Sequence, residues 1–87
     1  MKQITVQQAF RLIDGCERIH CMSSNPVMQP SFFRVGWHKE YSSAAEAIQT
    51  ADRLFLLSEE DAFLSHRLLC VNTKGKYPEA QVFMKTK

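Results

Sequence analysis

Residues 31–57 read SFFRVGWHKEYSSAAEAIQTADRLFLL, and the fold depends on where strand gives way to helix in this stretch. Residues 32–41 alternate with period two. Phe33, Val35, Trp37 and Tyr41 would share one face, with Phe32, Arg34, Gly36, His38 and Glu40 on the other. The first set makes a buried face, and the second suits the solvent side of an antiparallel sheet. Gly36 marks a bulge or a close backbone approach. From Ser43 the period becomes helical. Ser43 and Glu46 have capping-box spacing, and Ala44, Ala47, Ile48, Ala51 and Phe55 recur on one stripe. The spacing predicts a helix over 42–57, its alanines allowing close packing on a sheet. Ser58, followed by Glu59, Glu60 and Asp61, has the form of another helix start, either a short new helix or a kinked continuation.

Toward the N-terminus, Thr5 and Gln8 form a first capping box, and Val6, Ala9, Phe10 and Ile13 follow at helical spacing. Gly15 stands where a left-handed helix terminator is expected. Residues 16–22 predict a strand, with Ile19 and Cys21 alternating against Arg18 and His20. Residues 23–31 predict a loop broken by Pro26 and Pro30 and exposing Val27 and Met28. Residues 67–72 and 80–86 predict two further strands around a turn at Gly75 and Pro78. A faint echo relates residues 5–37 to 58–85 as cap, helix, strand, strand. The expected fold is a single α+β domain over residues 1–87. It has a small antiparallel sheet of about four strands with two to three helices on one face, in the order α-β-β-α-(α)-β-β.

A chain of 87 residues buries roughly 60–65% of its unfolded surface, so its core is thin. A net charge of +2 is too small to drive non-specific DNA binding, which needs several phosphates neutralised at once. The chain has no apolar run long enough for a membrane span, and its N-terminus lacks the apolar segment of a secretory signal. Three cysteines are an odd set for a disulfide framework, and reduced thiols in a cytoplasmic protein are the simpler expectation.

Cys16, His20, Cys21, His66 and Cys70 are ligand types that zinc prefers. Cys16 and His20 would share one strand face, and His66 and Cys70 another, while Cys21 would point away and the C-x2-C spacing is absent. Cys21 and Cys70 read more simply as small core hydrophobes, so no metal or cofactor is expected. Cys16 with His20, or Cys70 with His66, could make a nucleophile and base. No nucleophile motif surrounds them, three glycines leave no phosphate loop, and Glu59–Asp61 suit a helix start, so no enzymatic activity is expected.

The best candidate surface is the outward face of the 32–41 strand. Phe32, Arg34, His38 and Lys39, with Val27 and Met28 from the loop, would form it, since aromatic, arginine and methionine side chains favour interfaces. Residues 32–48 also resemble the strand-into-helix join of small ββα nucleic-acid-binding domains, a likeness without an invariant motif that transfers no functional residue. The expected function is a non-catalytic module that binds and occludes a larger protein or ribonucleoprotein complex. Anti-CRISPR-like inhibitors among phage and mobile-element accessory proteins are one concrete version. The alternative is a small RNA- or DNA-binding domain using the same basic-aromatic face, with Lys74, Lys76, Lys85 and Lys87 as a basic end. No membrane partner is expected, and a homodimer stays open.

Overall fold

The computed structural model describes residues 1–23, 31–36, 39–57, 64–74 and 78–86. Helix α1 (Val6–Asp14) starts as its capping box requires. The Gln8 backbone N–H donates to Thr5 Oγ1 at 3.2 Å, and Thr5 N–H donates to Gln8 Oε1 at 2.9 Å. Two of the helix's orphan donors are thus satisfied reciprocally. Its end differs from expectation. Gly15 is right-handed (φ −84°), and the Cys16 thiol donates to the Leu12 carbonyl at 2.9 Å, supplying a partner for the last turn.

A six-stranded antiparallel sheet replaces the expected four strands. Strands β1 (Lys2–Ile4), β2 (Cys16–Ser23), β3 (Phe33–Arg34), β4 (Arg53–Leu57), β5 (His66–Val71) and β6 (Glu79–Thr86) line up in the order β1-β4-β5-β6-β2-β3. Helix α2 spans Lys39–Thr50. The chain order is therefore β-α-β-β-α-β-β-β, with two helices among the described residues. α1 carries the chain from β1 to β2 and α2 from β3 to β4. Both cross the same face of the sheet. Residues 58–63, where a further helix start is expected, lie outside the described residues, as do Trp37, Gly75, Lys76, Tyr77 and Lys87.

Two expectations in the 31–57 stretch are corrected. The strand is Phe33–Arg34 alone, and Gly36 turns at φ +80° with nothing among the described residues within 4 Å of an added Cβ, so it serves a turn rather than a bulge or close approach. α2 begins at Lys39, which makes Ser43 and Glu46 exposed interior positions rather than a cap. Tyr41 joins Ala44 and Ile48 on the core-facing side of the helix, and Ala51 packs against the core just past its end. At the other end, α2 stops at Thr50. Asp52 N–H donates to the Val71 carbonyl at 2.7 Å, and its carboxylate accepts from Thr73 N–H at 2.9 Å and Thr73 Oγ1 at 2.8 Å. These bonds tie the chain to the end of β5 and commit residues 53–57 to the sheet. The two Thr73 hydrogen bonds also hold the Asp52 carboxyl below its usual range.

β2 contains a bulge. Cys16 pairs with Thr86 and Arg18 with Lys85, leaving Glu17 as the extra residue. The bulge lets Cys16 and Ile19, three positions apart, both enter the core. Fully buried Ile13, Ile19, Ile48, Leu68, Met84 and Val82 dominate that core, with Ala9, Ala44, Leu54 and Cys70 between them. Each large side chain contributes about 1.5–3 kcal/mol when removed from water. The alanines let the helices sit close to the sheet. Among the described residues no polar or charged residue is buried, and no helix is long and apolar enough to cross a membrane.

Candidate binding face

Directly paired residues on neighbouring strands share a face, so the register sorts every strand residue. Ile4, Leu54, Leu68, Cys70, Val82, Met84, Ile19 and Cys21 belong to the face packed by the helices. The alternate positions form a second face on which neither described helix packs. Its residues fall into rows across the strands. One row is Lys85, Arg18 and Arg34, from β6, β2 and β3. The next is Leu57, Arg67, Phe83 and His20. The third runs from Gln3 through Phe55, Leu69 and Gln81 to Met22, and the last holds Arg53, Val71 and Glu79.

Charge is unevenly divided. The second face holds Arg18, Arg34, Arg53, Arg67 and Lys85 against Glu79, whereas the whole chain has eleven Lys/Arg and nine Asp/Glu. Glu17 sits in the bulge at the end of the Lys85–Arg18–Arg34 row, where the register does not assign it a face. Arg18, Arg34 and Arg53 are exposed, while Lys85 and Arg67 are half-buried. Lys85, Arg18 and Arg34 stand in direct cross-strand register, where like charges repel.

Beside this row lies a run of π surfaces. The His20 ring is 5.8 Å from Phe33 and 6.5 Å from Phe83, and the Arg67 guanidinium stands 6.0 Å above the Phe83 ring. Phe83 is buried and His20 keeps partial exposure, while Phe33, paired with Ile19, belongs by register to the helix-packed face. His20 Nδ1 is 3.8 Å from Glu40 Oε2 at the start of α2, where β3 no longer flanks β2. His20 Nδ1 and Gln81 Oε1 are buried without a hydrogen-bond partner among the described residues, and both residues belong to this face.

The predicted site residues separate. Arg34 is exposed and paired with Arg18, Phe32 lies half-buried just before β3, and Lys39 is the exposed first residue of α2. The strand stops at Arg34 and Phe32 lies outside it, so the expected strand alignment of Phe32 with Arg34 is corrected. Val27, Met28 and His38 lie outside the described residues. Arg18, Arg53 and Arg67 are not among the expected site residues, and Lys85 is expected only as part of a basic end. Each occupies a polar position in an alternating strand, but only strand order brings them together.

The ligand sets also separate. The β2 bulge puts Cys16 in the core and His20 on the second face, correcting their expected shared side. His66 and Cys70 do share a face, but four strand residues separate them by about 13 Å. No group of three or more possible metal ligands forms among the described residues. Burial pushes the Cys16 thiol up to about 11. Burial, with some effect of Glu40, does the same to Cys21, and burial raises Cys70 to about 12. These thiols are protonated at neutral pH. Cys21 and Cys70 line an open cleft of about 700 Å³ beside α2, shared with Lys39, Glu40, Glu46 and Asn72. No protein-family model, curated protein or solved structure matches the chain.

Proposed function

We propose that the chain is a non-catalytic binding module that docks on a larger protein or ribonucleoprotein through the second face of its sheet. One observation carries this reading. Five of eleven cations, against one acid assigned by register, lie on the sheet face that the described helices leave unpacked. Arg34, expected to be central, belongs to this surface, in register with Arg18 and Lys85. Such a domain acts by occupying its partner's surface, as an adaptor or an occluding inhibitor of the anti-CRISPR kind does.

The test is affinity capture from bacterial lysate, with nuclease-treated and untreated halves, comparing wild type with an Arg18→Glu/Arg34→Glu double variant. Arg11→Glu, on the exposed side of α1, is the charge control. A stoichiometric partner should be lost from the double variant and kept by the control. Equal capture by all three proteins would remove this face from consideration.

A further inference from the structure

We propose that His20 and Glu40 form a proton-controlled latch, in which protonation of the imidazole draws the first turn of α2 onto the outer edge of β2. The latch does not depend on what the second face binds. β2 pairs with β6 from Cys16 to Ser23, but with β3 only at Arg18 and Ile19. His20 is the first residue beyond that pairing, and Glu40 is the second residue of α2. Their contact therefore reaches around the sheet edge, from a strand to a helix packed on its other side.

The contact centres on an unmet polar atom. The two side chains are only 16% and 15% exposed, and His20 Nδ1 is buried without a hydrogen-bond partner among the described residues. A buried nitrogen of this kind costs free energy until it is paired. Glu40 Oε2 stands 3.8 Å away, about 1 Å beyond a charge-assisted N–H···O bond. A neutral ring with a bare Nδ1 turns a lone pair toward the carboxylate, and the other neutral tautomer donates only as an uncharged group. The imidazolium carries a proton on both nitrogens, so Nδ1 becomes a charged donor, roughly twice as strong. Phe33 and Phe83, with ring centroids 5.8 and 6.5 Å away, flank the imidazole.

The surrounding charges set the balance. Arg18, Arg34 and Lys85 occupy the neighbouring row, Arg67 stands over Phe83, and Lys39 precedes Glu40 on α2. All five oppose a further positive charge. Cys21, the next residue of β2, keeps its proton, because burial and then Glu40 push its thiol up to about 11. Among the described residues Glu40 is the acid within ion-pair distance of the ring, so the response depends on it. Histidine changes charge between about pH 5 and pH 8. The latch contributes to folding below that range, and its contribution is lost as the pH rises through it.

The test is a double-mutant cycle on the full chain, with His20→Gln, Glu40→Gln and the combination unfolded in urea at about pH 5.5 and about pH 8. At the lower pH each single variant should lower the folding equilibrium constant several-fold, and the double variant should lose little more. At the higher pH this coupling should shrink. Losses that simply add at the lower pH overturn the latch, because the two groups then act separately. Equal coupling at both pH values overturns it as well, since the bond would need no added proton. His66→Gln should leave the cycle unchanged, and a pH response that disappears in that background would place the proton on the wrong histidine. Should His20→Gln fail to fold, ring proton resonances followed against pH in wild type and Glu40→Gln decide the matter. Removing the acid should move the midpoint of the His20 titration to lower pH, and an unmoved midpoint rejects the latch.

Discussion

Strand β5 shows both sides of the sheet within a few residues. Leu68 and Cys70 point at the helices and are buried, whereas Arg67, Leu69 and Val71 face away and are half-buried. The helix-packed side contains no buried polar residue among those described. The other side mixes leucine and phenylalanine with cations, and includes the His20 and Gln81 atoms that have no hydrogen-bond partner among the described residues. The difference shows where the thin core of this chain is spent. The two described helices cover one face, and the other keeps charge that a core would reject.

The strongest way to break this comparison is a pair of truncations on one strand. Leu68→Ala should cost about 3 kcal/mol by urea unfolding, the range for a fully buried leucine, and Leu69→Ala less than about half of that. Equal losses would mean that the second face is covered as completely in solution. A concentration-dependent unfolding midpoint would then identify a homodimer as the cover.

A smaller effect sharpens the contrast from the covering layer. Thr5→Ala removes the capping box that starts α1 and should cost about 1 kcal/mol. Ser43→Ala lies inside α2, so thermal unfolding should show a change below about 0.5 kcal/mol, in the stabilising direction. A Ser43 penalty as large as that of Thr5 would restore the cap predicted at residue 43 and shorten the helix.

The smallest expected effect runs against ordinary intuition about damage. Arg18→Glu turns two repulsive cross-strand pairs, with Lys85 and Arg34, into attractive ones. It should raise stability by about 0.5 kcal/mol at low salt. The gain should shrink as salt is added. A destabilised Arg18→Glu would show that an acid already compensates the row, and Glu17 in the bulge is the first to substitute.

The two capping boxes explain how much could be read in advance. Thr5 and Gln8 precede an amphipathic run with no competing structure upstream except the three-residue β1, so the local signal survives. Ser43 and Glu46 have identical spacing, yet the periodicity of Tyr41, Ala44 and Ile48 extends the helix past them to Lys39. Residues 53–57 fit a helical stripe and a strand equally, because a short apolar run carries no decisive period. β5 and β6, where alternation is clean, lie close to their expected bounds. Of the predicted surface, Arg34 belongs to the cationic face by register, and its strongest neighbours were not anticipated.

Sequence patterning alone determined the α+β class, the antiparallel sheet, the first helix with its cap, and the identity of core residues such as Ile13, Ile19 and Ile48. Those features depend on periods and caps spanning a few residues. Tertiary structure decided the six-strand order, the β2 bulge that parts Cys16 from His20, and the meeting of Lys85, Arg18 and Arg34. The physical reason is separation along the chain. Hydrogen-bond register joins residues up to 70 positions apart, such as Cys16 and Thr86, and no local period encodes which strands will be neighbours.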